Sequence, residues 1–264
     1  MNREQVAGHP TITVGDGSRT LIVLPGLGDA LGLAEPSWLT RLVLRRYYRP
    51  FTDTHTVHVV SRPRGIAPGT STREMAAGYA EVLEELGPAD VLGVSMGGLI
   101  AQHLGAERSE NIERLVIGVA AYRLGEEGRR TVERWREQGR EERWGELYRD
   151  TIRVTYAARR RQVAYGALAR LPLDALSRPT SPDDFLVSAT ACLEHDGREV
   201  LSGIDVPTLV IGGDSDPLFP VGLLTETAER IPDATLRLLR GTGHGAFEER
   251  KRGFDTSVRR FLAG

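Results

Sequence analysis

The stretch Ala89–Glu107, ADVLGVSMGGLIAQHLGAE, constrains this chain more than any other. An apolar run climbs to Val94, meets Ser95 inside Gly93-Val94-Ser95-Met96-Gly97, and passes at once into an apolar helical pattern. A short apolar run ended by turn residues reads as a buried strand. A turn that takes a strand straight into a helix crowds its neighbours, so glycines flank it, and the residue at its apex sits in strained backbone. The helix behind Ser95 aims free N–H groups and the positive end of its dipole at that side chain. Such a segment calls for a sheet with helices packed on it.

The rest of the chain repeats the alternation. Thr20–Leu24 and Thr56–Val60 are short β runs, stopped by Pro25-Gly26 and by SRPRG. Trp38–Tyr48 carries helix-spaced apolar residues. From Thr72 onward, Met75, Ala76, Tyr79, Val82, Leu83 and Leu86 fall near one helical face, and Gly87-Pro88 ends it. Val91–Val94 is the next strand, with a helix to about Ala106, and Ile112–Ala120 is another buried strand. Pro207–Gly213 and Ala234–Leu239 read as strands, and Val221–Arg230 and Ala246–Leu262 as helices. Strand and helix in turn predict parallel strands joined by right-handed crossovers. Between Tyr122 and about Ser202 the rhythm breaks into charged amphipathic helices with no strand. The expected fold is therefore α/β, a mostly parallel central sheet with helices on both faces and a helical cap inserted after the Ile112–Ala120 strand. Residues 1–121 and 203–264 form the core and 122–202 the insertion.

A net charge of -2 gives no reason to expect nucleic acid or an anionic membrane as partner. The 34 basic residues include one lysine, Lys251, a skew that reads as coding bias rather than a binding patch. Cys192 is the only cysteine, so no intrachain disulfide can form and a reducing compartment fits. It lies in the apolar helical pattern LVSATACLEHD and reads as a small buried hydrophobe. The N-terminal stretch lacks an apolar signal core, and no apolar run approaches the ~18–20 residues of a membrane helix. A cytoplasmic protein, monomer or homodimer, is expected.

A serine hydroxyl is a poor nucleophile until a base takes its proton. In an open α/β sheet that base belongs at the carboxyl end of another strand. His244, in LRLLRGTGHGAFEE, follows the Ala234–Leu239 strand among glycines that read as leaving the ring mobile and accessible. The base needs an acid to fix its tautomer. PTLVIGGDSDPLFP offers Asp214 and Asp216 just after a strand. Asp216 is favoured, because Pro217 and Pro220 stiffen the loop beyond it; Asp214 remains the alternative, and one of the two caps the next turn.

With GVSMGG, PTLVIGGDSDPLFP and GTGHGAFEE in the order Ser95, Asp216, His244, residues 11–263 resemble the α/β-hydrolase superfamily, in its single-domain branch with a helical cap, which implies that the cap is inserted after the sixth strand. The resemblance implies a serine hydrolase that cleaves a carboxylic ester, thioester or lactone of a small-molecule acyl substrate through an acyl-enzyme on Ser95. No metal and no organic cofactor are implied. An oxyanion hole would use the N–H of Met96 and, by resemblance, that of Leu27, the residue after a family His-Gly pair. Here that pair is Pro25-Gly26, so the histidine that often braces the loop is missing and the shape of the loop is left open. The same acyl-enzyme passed to another nucleophile would make an acyltransferase, a cyclising thioesterase or a perhydrolase. A non-catalytic ligand-binding protein on the same fold is a third class.

Trp38, Trp135, Trp144, Tyr148, Phe185 and Phe219 are aromatic candidates for an acyl pocket, with Trp135 and Trp144 preferred. His55 and His58 stand three apart in a β run and point to opposite faces, which argues against a metal site. His103 reads as a packed helix residue, His195 as a helix end in the insertion, and Arg159–Arg161 as a solvated face. Gly26, Gly28 and Gly32 do not make a dinucleotide fingerprint.

Overall fold

The computed structural model of the chain describes residues 5–31, 38–157, 179 and 181–264. Eight strands form one sheet: β1 (Gln5–Val6), β2 (His9–Val14), β3 (Arg19–Leu24), β4 (His55–Val60), β5 (Ala89–Val94), β6 (Ile112–Gly118), β7 (Thr208–Gly213) and β8 (Ala234–Leu239). Their order is β1-β2-β4-β3-β5-β6-β7-β8. β2 pairs antiparallel with both β1 and β4, while β3 to β8 run parallel. The sequence reading began the sheet at Thr20 and did not recognise β1 and β2. β1 is two residues long, and Pro10 interrupts the pattern of β2 at an outer position of the sheet, where a missing N–H is tolerated.

The period-two alternation of the strands sorts their side chains onto two faces. Ile22, Leu24, Val91, Leu115, Ile117 and Val210 pack with α2 (Thr72–Leu86) and α3 (Met96–Glu107). Leu21, Val23, Val59, Leu92, Val116 and Ile211 face the other side. There they meet Tyr48 and Phe51, which follow α1 (Trp38–Tyr47), and Phe254 and Val258 of the C-terminal helix. α2 starts where expected because Ser71 caps it: its hydroxyl accepts from the Glu74 N–H, and the Glu74 carboxylate accepts from the Ser71 N–H at 2.8 Å.

Between β6 and β7 the described residues form α4 (Glu126–Arg140), α5 (Trp144–Thr155) and α6 (Pro182–Glu194). Arg159–Arg161 lie outside the described residues. After β7, α7 (Val221–Arg230) leads into β8. The expected single helix over Ala246–Leu262 is two, α8 (Ala246–Glu249) and α9 (Lys251–Ala263), broken at Arg250 (φ -123°, ψ 42°). Glu249 turns back to accept the Gly243 N–H at 2.8 Å, and Glu248 accepts the Tyr156 hydroxyl. These ties hold the first turn against the neighbouring loops and off the axis of α9.

Candidate active site

Ser95 ends β5 and opens α3 with φ 54° and ψ -119°, a conformation that costs a non-glycine residue about 1–3 kcal/mol. Backbone bonds hold it there: its N–H donates to Gly118 O at 2.8 Å, and its carbonyl accepts from Gly98 N–H at 2.7 Å. The flanking glycines answer a spatial need. A Cβ on Gly93 would strike the Gly97 carbonyl, one on Gly97 the Leu24 carbonyl, and one on Gly98 the Ala120 Cβ at 2.6 Å.

His244 stands in the loop between β8 and α8. Its Nε2 lies 2.9 Å from Ser95 Oγ and its Nδ1 2.9 Å from Asp216 Oδ2. The second oxygen of Asp216 accepts the N–H groups of Leu218 (2.8 Å) and Phe219 (3.2 Å), so backbone donors fix the carboxylate in the plane it needs. Asp214 accepts instead from Gly241 N–H at 2.8 Å, tying the loop after β7 to the loop after β8. Of the two candidate acids, Asp216 is the one bonded to His244.

The glycines around His244, read above as leaving the ring mobile, stand where neighbouring elements approach closely. Carbonyls of Thr242 and Gly243 occupy the place a Gly213 Cβ would take. Gly245 N–H donates to Thr155 O at 2.6 Å, so the end of α5 holds the loop, and His244 is buried. Glycine serves close approach here rather than freedom of the ring.

Leu27 is the first residue of a short 3₁₀ turn (Leu27–Leu31), and Met96 is the first of α3, so neither N–H has an acceptor within its own helix. The Pro25–Leu27 loop lies against the serine: a Cβ on Gly26 would stand 3.3 Å from Ser95 Cβ. A residue that the sequence reading missed braces this loop. The Arg62 guanidinium donates to the carbonyls of Pro25 (3.1 Å) and Gly26 (3.0 Å). The Asp29 carboxylate, 3.6 Å from that guanidinium, accepts the Arg62 backbone N–H at 3.0 Å. Arg62 and Asp29 are both buried. The one sequence signal was SRPRG directly after β4, on the same rim, but an arginine in a turn reads as solvated.

A cavity of about 410 Å³ opens on Ser95, His244 and Leu27. Of the aromatic candidates, Trp135 lines it, and its indole N–H donates to Asp150 at 3.0 Å. The other candidates are corrected. Trp38 is 77% exposed, because α1 turns it outward. Trp144 and Phe185 stack edge-on in the core at 5.8 Å. Tyr148 packs half-buried on that core. Phe219 lies behind the imidazole of His244, ring centroids 5.8 Å apart, and supports the ring without reaching the cavity.

The remaining titratable candidates have structural partners. His55 Nε2 bonds Asp90 at 2.9 Å, and Asp90 also pairs with Arg19 at 2.8 Å. His58 Nδ1 meets Thr13 Oγ1 at 3.1 Å. His103 and His195 stack edge-on at 5.3 Å, with His195 Nδ1 on Thr72 Oγ1 at 2.8 Å. Burial, and secondarily His103, push the His195 imidazole down to about 3. Cys192 is buried and its thiol is pushed up to about 12 by that burial. Among the described residues no group of three or more His, Cys, Asp or Glu side chains is arranged to hold a metal ion, and no helix is long and apolar enough to cross a membrane.

Known proteins match this architecture. A pimeloyl-[acyl-carrier protein] methyl ester esterase of Neisseria meningitidis serogroup B is 26% identical over 223 residues, 80% of this chain and 84% of that one. A polyketide synthase, ThaQ of Burkholderia thailandensis, is 28% identical over 263 residues, 93% of this chain but 12% of the synthase. Among solved structures, the enol-lactonase from Burkholderia xenovorans LB400 superposes with a TM-score of 0.79 at 21% identity, over 98% of each chain. The model of the alpha/beta hydrolase family matches residues 21–255. With that match spanning most of its length, the chain belongs to the alpha/beta hydrolase family.

Proposed function

We propose that the protein is a serine hydrolase that cleaves a carboxylic ester, thioester or lactone through an acyl-enzyme on Ser95. One observation carries this reading: the unbroken line of hydrogen bonds from Ser95 Oγ through both nitrogens of His244 to Asp216. As Ser95 Oγ attacks the carbonyl carbon, His244 Nε2 takes its proton. Asp216 accepts the Nδ1–H, keeps the attacking tautomer and stabilises the imidazolium. The N–H groups of Leu27 and Met96 meet the oxyanion, and Arg62 holds Leu27's loop in place. Collapse expels the alcohol or thiol, which leaves with the proton from Nε2. Water, deprotonated by His244, then attacks the acyl group, and the carboxylic acid departs as Ser95 regains its proton. No step needs a metal or an organic cofactor.

The helices between β6 and β7 act as a cap on the core of residues 1–121 and 203–264, since they supply Trp135, Thr151 and Thr155 to the cavity wall. A panel of p-nitrophenyl esters of rising chain length, with Ser95→Ala as control, tests the assignment. Loss of turnover on the order of a millionfold is expected in the variant. A variant that keeps its activity removes Ser95 from the mechanism.

A second reading passes the acyl group to a nucleophile other than water. The match of nearly the whole chain to a part of a polyketide synthase supports it. Product analysis with a competing alcohol or peroxide separates the two: hydrolysis gives the free acid throughout, whereas transfer gives the new ester or the peracid.

A further inference from the structure

The cavity does not stop at the rim where Ser95 stands. It continues as a slot between α1 and the sheet, with Val23, Val59 and Leu92 as its floor. These three residues belong to the sheet face that elsewhere packs against helices. Thr40, Leu44 and Tyr47 of α1 face the slot at helical spacing, yet no residue of α1 is fully buried. Protein interiors are close-packed, with few voids larger than a water molecule. An opening of about 410 Å³ over core side chains has instead the size and apolar lining of a ligand site.

The wall of the slot at the C-terminal end of α1 is polar. Tyr47 and Tyr48 line it, and neither phenol has a hydrogen-bond partner among the described residues. Asp255 lies beside both. Burial raises both phenols well above the usual range, and Asp255 adds to that shift, so they remain protonated donors. Lys251 sits 3.9 Å from the Tyr47 ring centroid and spends its charge on both oxygens of Asp255, at 2.6 and 2.7 Å. Glu248 also lines the cavity and no lysine or arginine does among the described residues, so this wall offers donors and no cation.

We propose that this slot takes the acyl chain of the substrate, and that the chain is narrow, apolar along its length and ended by an uncharged hydrogen-bond acceptor such as a hydroxyl or keto oxygen. The inference rests on the acyl-enzyme reading of Ser95. The leaving group must lie beside His244 Nε2 to take its proton, whereas the acyl part stays on Ser95 Oγ. Leu92 and Val94, the strand residues that lead up to Ser95, form the wall the chain would follow. A neutral acceptor satisfies the two phenols, whereas a terminal carboxylate would give up its hydration with no lysine or arginine on the lining to meet it.

The test compares kcat/KM for p-nitrophenyl acetate, octanoate, the ω-hydroxy analogue of the octanoate, and the octanedioate half ester. The wild type should prefer the hydroxyoctanoate, then the octanoate, with the half ester below both. Leu44→Trp and, separately, Thr40→Trp put an indole into the slot. Each should lower the octanoate-to-acetate ratio by about tenfold or more. Tyr48→Phe should lower the hydroxyoctanoate-to-octanoate ratio by about three- to tenfold. If both tryptophan variants fold, as circular dichroism will report, and leave the ratio unchanged while Ser95→Ala abolishes turnover, the slot assignment is overturned and the catalytic reading stands. Turnover of the acetate by Ser95→Ala, or no turnover of any ester by the wild type, overturns both.

Discussion

The turn at Ser95 and the loop after β3 stand side by side on the rim of the cavity, and opposite means hold them. The Ser95 turn is kept by its immediate neighbours: Gly93, Gly97 and Gly98 clear the space, and backbone bonds close it. The Pro25–Asp29 loop is kept by Arg62, distant in the chain, through its guanidinium and the Asp29 carboxylate. A steric solution leaves glycines that can be read directly. An electrostatic one buries two opposite charges, at a desolvation cost that only good geometry offsets. Here Arg62 Nε and Asp29 Oδ1 have no hydrogen-bond partner among the described residues, so the offset is incomplete. A loop shaped by packing alone would be cheaper, which makes position rather than stability the reason for the pair.

The largest effect should come from the Ser95 turn itself. Ser95→Ala should lose on the order of a millionfold in kcat, measured by single-turnover release of p-nitrophenol. Next, Asp216→Asn should cost about ten thousandfold in kcat because the imidazole takes the wrong tautomer. Asp214→Asn, one turn away, should stay within a few-fold, and equal losses would mean that the loop tie matters as much as the acid.

On the opposite side, Arg62→Met should lower kcat by about a hundredfold through a misplaced Leu27 N–H, with KM little changed. It should also lower stability by about 3–5 kcal/mol, because Asp29 is left charged and unpaired in the interior. The double variant Arg62→Met/Asp29→Leu separates the two consequences. Urea melts should recover much of the stability while kcat stays low; recovery of both would reduce Arg62 to a structural role.

The smallest effect is on pH-dependent stability and lies away from both loops. The folded imidazole of His195 is held near 3, against 6.5 for the free group, because burial and the neighbouring His103 disfavour its charge. Below about 6.5 the unfolded chain takes up a proton that the folded chain refuses. The stability His195 contributes is therefore complete above that pH and is lost progressively as pH falls towards 3. Denaturation midpoints of wild type should drop more steeply over this window than those of His195→Gln. Parallel curves would show that His9 and His103, both lowered by burial, account for the acid sensitivity instead.

How much was legible follows the same division. The α2 boundaries and β8 came directly from apolar spacing, and the Ser95 turn from its glycines. The break at Arg250 was not legible, because Glu248 and Glu249 look like ordinary helix formers until Tyr156 and Gly243 are seen beside them. The aromatic residues were the poorest guide. Trp38, Trp144 and Phe219 look alike as text, yet one is in solvent, one in the core and one behind the imidazole.

The sequence by itself determined the alternation of strands and helices, the strained turn and the order in which Ser95, an aspartate pair and His244 follow one another. Each of these is written in short-range spacing, because backbone sterics and hydrophobic periodicity act between near neighbours. Only the tertiary structure decided which aspartate meets His244, that Arg62 stands in for the absent histidine, and that a slot runs beneath α1. Those depend on which surfaces meet in space, and burial, the strength of a charge pair and the shape of a cavity are properties of that meeting alone.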